Sequence, residues 1–289
     1  MTFDAVVFDV DGVLVDTDRS YTEAVIRTVQ HFLVGEAGVR DDGPAVDRLT
    51  VRAFRRGGGW NNDWDLAYGL LAWLSASRGG STSERRDAAE PTLRAAGRTR
   101  DELARAAGPA LRWSWEEVRG VFEELYNGSA VARERYGVEP RLNVARGLAA
   151  DETVLVERRT LDDLAAIGIS KLGIVTGRTA ADFAQVRPRL PFDDTLAVVT
   201  DDDGRKPDPS LLARVLTTLQ ARRALAVGDT LDDLRMAQRF AGTAMGKERA
   251  VTPVILCSVE DEAAYRAAGG RHFIRAVSEL PTMARSLAP

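Results

Sequence analysis

The chain has 289 residues, enough for one large domain or two ordinary ones of about 100–200 residues each. Its 45% hydrophobic and 28% charged content is the balance of a soluble globular protein, and a net charge of −4 favours neither nucleic acid nor an anionic membrane. A lone cysteine, Cys257, and two distant histidines, His31 and His272, argue against a disulfide, a cysteine-based zinc site, a multi-histidine metal centre or a histidine relay.

No apolar run approaches the ~18 residues of a membrane helix. The N-terminus runs straight into an apolar stretch with no basic region ahead of it. A cytoplasmic protein without a signal peptide is therefore expected. Of 39 basic residues only Lys171, Lys206 and Lys247 are lysines, which makes the position of each worth tracing.

Ala5–Val10, a short β-branched and aromatic run, predicts a strand buried on both faces. Helical patterns follow over Ser20–Leu33, Asp65–Ala76 and Trp115–Tyr136. Between them, Ser77–Gly108 is rich in Gly, Ala, Arg and Ser and reads as a mobile loop or a ragged helical stretch with weak packing. From residue 149 onward the pattern changes. Lys171–Val175, Leu196–Thr200, Ala224–Val227 and Pro253–Cys257 repeat the buried-strand signature. Helices are predicted over Thr160–Ile167, Ala180–Val186, Pro209–Gln220 and Asp232–Phe240, with Asp208 as N-cap and Pro209 in the first turn of the third, and Gly242 near the end of the last.

Strands alternating with helices predict an α/β fold with a parallel sheet covered on both sides. No internal repeat is visible. The expected organisation is an α/β core over 1–18 and 149–289. A helical domain over 19–148 is inserted after the first strand, the chain leaving near Asp18 and returning near Ala149.

Ligands of open parallel sheets gather at the carboxyl ends of the strands. The segments there are Asp9-Val10-Asp11-Gly12, Thr176-Gly177-Arg178, Asp201 to Lys206, and Gly228-Asp229-Thr230-Leu231-Asp232-Asp233. Asp9 and Asp11, two apart in extended chain, project to the same side. Asp229 faces them from another strand, with Asp233 one helical turn on.

Converging carboxylates repel unless a cation sits between them. Oxygen ligands without His or Cys suit Mg²⁺. A carboxylate beside Mg²⁺ either orients a water or attacks phosphorus itself. Thr176 adds a hydroxyl at the start of a helix, where N–H groups favour an anion, and Lys206 adds a point charge for phosphate or nucleophile. Plainer roles stand beside these: Asp229, Asp232 or Asp233 as helix caps, and Lys206 as part of the turn entering helix 209–220.

The four segments together resemble the motifs of the haloacid dehalogenase superfamily. Asp9-Val-Asp11-Gly-Val-Leu-Val-Asp16-Thr17 is similar to its first, Ile174-Val-Thr176-Gly-Arg to its second, Lys206-Pro-Asp-Pro209 to its third and Val227-Gly-Asp229-Thr-Leu-Asp-Asp233 to its fourth. The resemblance implies a Rossmann-like, doubly wound core. It makes Asp9 the nucleophile and Asp11 the general acid/base. Thr176, Gly177 and Lys206 would hold phosphate. Mg²⁺ would be bound by Asp9, the backbone carbonyl of Asp11, Asp229 and, through water, Asp233, with Asp232 as an alternative.

Dehalogenases of this pattern lack the second aspartate, so Asp11 points to phosphoryl transfer. A cysteine phosphatase needs arginine six residues after its cysteine, where Ala263 stands. The expected activity is Mg²⁺-dependent hydrolysis of a small phosphorylated metabolite through an aspartyl-phosphate. A sugar phosphomutase and a catalytically silent phospho-ligand binder are the alternatives. No nucleic-acid or membrane partner is expected.

The insertion after the first motif resembles a helical cap, an element that excludes water and selects substrate. Within it, Arg55-Arg-Gly-Gly-Gly59-Trp60-Asn-Asn62-Asp63-Trp64 offers Arg56, Trp60, Asn61 and Asn62 as specificity residues. The competing structural reading has Asn62 or Asp63 capping helix 65–76 and both tryptophans in the core. Cys257 reads as a buried small hydrophobe, His31 as structural, and the arginines between Arg78 and Arg112 as a solvated face. Arg178 reads either as a phosphate contact or as a surface residue.

Overall fold

β1 (Ala5–Phe8) shows how the core is built: Val6 and Phe8 enter one apolar cluster, Ala5 and Val7 another, because successive side chains of a strand face opposite sides. The computed structural model describes residues 2–57, 60, 62–93 and 99–287, and the chain falls into two units, Met1–Asp16 with Thr153–Pro289, and Thr17–Glu152.

After β1 the first unit continues with β2 (Val15–Asp16). The second unit runs through α1 (Tyr21–Gln30), α2 (Arg48–Gly57), α3 (Asp63–Ala76), α4 (Thr82–Leu93), α5 (Arg100–Ala107), α6 (Trp115–Asn127) and α7 (Ser129–Tyr136). β3 (Thr153–Val154) then pairs antiparallel with β2, Asp16 opposite Thr153. The chain thus leaves and re-enters the first unit through neighbouring strands. The remainder alternates through α8 (Arg158–Ala166), β4 (Lys171–Val175), α9 (Ala180–Val186), β5 (Ala197–Val199), α10 (Pro209–Thr218), β6 (Arg223–Gly228), α11 (Leu231–Ala241), α12 (Ala244–Glu248), β7 (Ala250–Leu256), α13 (Glu262–Ala267), β8 (Phe273–Ile274) and α14 (Leu280–Leu287).

The main sheet has the order β5-β4-β1-β6-β7-β8, every pairing parallel. Leu161 and Leu164 of α8, Phe183 and Val186 of α9, and Leu280 and Ala284 of α14 cover the Val6/Phe8 face. Leu211, Leu212, Val215 and Leu216 of α10 and Met236, Ala237 and Phe240 of α11 cover the other. The α/β, doubly wound expectation therefore holds. Crossovers run outward from β1 in both directions, and the chain reverses direction beside its central strand.

The helical unit corrects two expectations. Trp115–Tyr136 is two helices, because Gly128 has φ +85°, a backbone no other residue adopts cheaply. Within Ser77–Gly108 the described residues hold two helices, α4 and α5. Asp42, far back in sequence, accepts from Thr82 Oγ1 and Ser83 N at 2.9 Å each and from Ser83 Oγ at 2.6 Å, which supplies α4 with a distant N-cap. Thr99 and Glu102 form a capping box on α5. Ser81, Thr82, Ala89 and Leu103 are buried; 94–98 of that stretch lie outside the described residues. Among the described residues, no helix is long and apolar enough to cross a membrane.

Candidate active site

Asp9 continues the β1 ladder by donating its N–H to Val227 O at 2.8 Å, and β1 lies between β4 and β6. Its side chain therefore leaves the sheet at the middle of the strand ends. The chain beyond is not extended, as the spacing of Asp9 and Asp11 had suggested. Val10 O accepts from the N–H of Val13, Leu14 and Val15, folding 10–15 into a tight turn with Gly12 at φ +73°. The turn needs glycine there twice over. A Cβ would also lie 2.1 Å from Asp229 Oδ2. The missing side chain leaves the space that the Asp229 carboxylate fills. A Cβ on Gly228 would likewise lie 2.3 Å from Asp233 Cβ.

Through these two openings the carboxylates of Asp9, Asp229 and Asp233 converge, with one oxygen of each within 4.8 Å of the others. Asp9 and Asp233 are buried and Asp229 half-buried. Lys206 Nζ reaches into this group, 2.7 Å from Asp9 Oδ1 and 2.7 Å from Asp233 Oδ1, with its side chain only 5% exposed. Burial pushes the Asp9 carboxyl up to about 7 against the pull of Lys206, with Asp233 and Asp11 adding to the rise. Burial alone would lower the Lys206 ammonium, but Asp233 and Asp9 outweigh it and hold it above the ordinary lysine value.

Asp233 serves two partners. Its Oδ2 closes a capping box on Thr230, accepting from Thr230 N at 3.1 Å and Thr230 Oγ1 at 2.5 Å, while Oδ1 faces Lys206. Capping and site membership, which looked like rival roles, belong to different oxygens of one carboxylate. Asp232 points elsewhere and pairs with Arg235 at 3.2 Å, so the geometry separates two residues that the sequence left open.

Arg178 is not a surface residue. Its side chain is 1% exposed, and its Nε and Nη2 donate to Asp11 Oδ1 at 2.9 and 2.6 Å. Its backbone joins two more segments: Arg178 N donates to Thr176 Oγ1 at 3.1 Å, and Arg178 O accepts from Asp201 N at 2.9 Å. Thr176 is buried at the end of β4, and Gly177 is exposed beside it. Neither starts a helix as expected, because Thr179 caps α9 four residues before Phe183. From the run after β5, Lys206 reaches the cluster. Asp202 accepts from Ala180 N at 2.8 Å, and Asp203 pairs with Arg214 at 2.8 Å while closing a box on Thr200.

The donor set fits a hard divalent cation. It is all oxygen, without nitrogen or sulfur ligands. Among the described residues, Lys206 pairs with Asp9 and Asp233, and Arg178 with Asp11, so acidic groups outnumber the buried cations beside them, the excess a divalent ion would offset.

The specificity residues expected in the insertion belong to the helical unit. Trp60 is buried there, edge-on to Phe54 with ring centroids 5.5 Å apart, in space that Gly69 leaves free. Asn62 Oδ1 caps α3 by accepting from Asp65 N at 3.0 Å. Arg56 lies on α2, and Asn61 lies outside the described residues. Arg55 bonds to Asp63 and Thr22. The stretch from Arg55 to Gly57 is the end of α2.

Arg178 acting through Asp11, and Tyr265, whose hydroxyl donates to Asp229 O at 2.5 Å, are the site residues that spacing did not reveal. Only the burial and partners in the fold show them.

A parallel α/β sheet bearing acidic residues and a lysine at its strand ends is shared by several classes of protein, and the sequence match narrows the choice to one family. Residues 3–241 match the haloacid dehalogenase-like hydrolases. The chain belongs to that family.

Phosphatase Tt82 from Thermococcus thioreducens superposes with a TM-score of 0.64 at 26% identity, covering 92% of this chain and 99% of that one. A candidate phosphoglycolate phosphatase from Lactobacillus plantarum shares the fold with a TM-score of 0.55 at 16% identity, covering 98% of this chain and 100% of that one. Imidazoleglycerol-phosphate dehydratase of Phytophthora nicotianae is 26% identical over 246 residues, 84% of this chain but only 42% of that protein. This chain thus spans about two fifths of that relative's length.

Proposed function

We propose that the protein is a Mg²⁺-dependent phosphatase of small phosphate monoesters that works through an aspartyl-phosphate on Asp9. The observation that carries this reading is the position of the Asp9 carboxylate. It is buried at the centre of the strand ends, 2.7 Å from the Lys206 ammonium, and shares a pocket of oxygen ligands with Asp229 and Asp233.

Asp9, Asp229, Asp233 and the Asp11 carbonyl would hold Mg²⁺, which when bound offsets the repulsion between a phosphate dianion and the carboxylates. An Asp9 oxygen forms a bond to phosphorus as the phosphorus–oxygen bond to the leaving group breaks, and Asp11 gives that oxygen its proton. Water then attacks phosphorus and passes a proton back to Asp11. Inorganic phosphate leaves and the Asp9 carboxylate is restored. Lys206 favours the ionised form of the nucleophile against burial, and the Thr176 hydroxyl, the Gly177 backbone and Lys206 bind phosphate oxygens.

Arg178 keeps Asp11 oriented by two hydrogen bonds. The phosphatase relative at 26% identity supports hydrolysis. The helical unit acts as the cap of 19–148 that selects substrate. The name of the dehydratase relative puts imidazoleglycerol phosphate among the compounds to try.

The test is phosphate release from a panel of phosphorylated metabolites with and without Mg²⁺, followed by product analysis. Free phosphate supports the reading. An isomerised sugar phosphate would make the protein a mutase. No turnover of any ester would speak for a ligand binder.

A further inference from the structure

Asp229 is the least enclosed of the three clustered carboxylates, so what fixes its backbone matters. On one side its side chain fits the space at Gly12. On the chain's own side, Gly228 ends β6 and Thr230 caps α11. The carbonyl between them accepts the hydroxyl of Tyr265 at 2.5 Å.

Tyr265 lies on α13, beyond β7 and outside the four motif segments. It is 8% exposed and packs with Leu234, Ile255 and Cys257. A buried tyrosine hydroxyl needs a polar partner, and here that partner is the main chain of a clustered aspartate.

We infer that Tyr265 is a positioning residue for the divalent-cation site, holding the Asp229 main chain so that its carboxylate stays beside Asp9 and Asp233. The inference rests on reading the acidic cluster as a cation site. Groups that hold ligands without touching the ion change affinity by about 10–100-fold when removed. Phenylalanine keeps the ring in its packed place and removes only the donor.

The experiment is Mg²⁺ titration by calorimetry of the wild-type chain and Tyr265→Phe without substrate, together with thermal unfolding of both metal-free proteins. The expected result is a Kd for Mg²⁺ raised about 10-fold in the variant, with the metal-free melting temperatures close together. Unchanged Mg²⁺ affinity in the variant, with or without a lower melting temperature, overturns the inference and makes Tyr265 a packing residue. No Mg²⁺ binding by the wild type removes the cation-site reading itself, and this inference with it.

Discussion

Glu124 in the helical unit and Asp9 in the α/β unit are both buried carboxylates, yet their surroundings differ in kind. Glu124 is met by donors: Arg141 N at 2.5 Å, Leu142 N at 3.1 Å and Ser129 Oγ at 2.8 Å. Glu152 repeats the pattern with Ser20 and Tyr126 hydroxyls at 3.0 and 2.9 Å. These carboxylates tie chain segments together.

Asp9 is met by Lys206 but also crowded by Asp233 and Asp11, and burial drives its carboxyl up to about 7. A carboxylate surrounded by donors has completed its partnerships within the fold. One crowded by other carboxylates has been placed where the fold alone gives it poor company, which marks it as a candidate for function. The difference shows why burial by itself does not identify a working residue.

The strongest way to break this contrast is to exchange Asp9 for asparagine. If Asp9 is the nucleophile, Mg²⁺-dependent phosphate release should fall by on the order of 10⁴-fold, while thermal unfolding of the metal-free protein stays at or above that of wild type, because one charge leaves a crowded group. Comparable turnover by Asp9→Asn would end the covalent reading.

The opposite outcome is expected in the other unit. Glu124→Ala leaves the half-buried Arg141 and Leu142 N–H groups and the Ser129 hydroxyl without their acceptor, at a cost of about 1–2 kcal/mol. Chemical denaturation should show the loss directly. A change below about 0.5 kcal/mol would mean that water replaces the carboxylate readily, and that the donor-rich class is no more structural than the surface.

The same contrast explains what the sequence revealed. The strands were legible because continuous apolar runs must be buried on both faces. The acidic residues and Lys206 were legible because each follows such a run. Side-chain direction was not. Nothing in the spacing of Arg178 shows that it turns inward to Asp11, and Tyr265 belongs to no motif. In the helical unit, apolar periodicity passes through Gly128 without interruption, so two helices read as one. The start of α4 was not legible because its cap, Asp42, lies some forty residues away, and no local window contains that partner.

Arg178 lies between the two classes, a buried cation whose hydrogen bonds go to Asp11, the proposed general acid. Arg178→Ala frees Asp11 to turn, and misplacement of a catalytic group by about 1 Å can cost 10²-fold. A fall in kcat of about 10–100-fold is expected, with KM less affected. Arg178→Lys should recover part of the loss, because one of the two hydrogen bonds can be rebuilt. Equal effects of alanine and lysine on kcat, accompanied by a matching loss of folded protein, would move Arg178 into the structural class.

The smallest effect concerns a carboxylate at the amino end of the central strand. Asp4 accepts from Arg223 N at 2.8 Å and Arg222 N at 3.2 Å, and pairs with Lys171 at 2.9 Å. Burial pulls its carboxyl upward, but the Arg223 and Arg222 N–H groups and Lys171 outweigh that and hold it below its ordinary 3.8. A depressed folded-state value means that the charge contributes stability above the unfolded value, and that this contribution disappears as pH falls through the folded one.

Asp4→Asn should therefore be less stable than wild type by about 1 kcal/mol at pH 7. The gap should narrow below the ordinary value of 3.8 and close in stronger acid. Urea unfolding of both proteins at neutral pH and along an acid series measures it. A gap that persists unchanged into acid would assign the contribution to hydrogen-bond geometry rather than charge, and Asp4 would then join Glu124 as a carboxylate whose value lies in what it accepts.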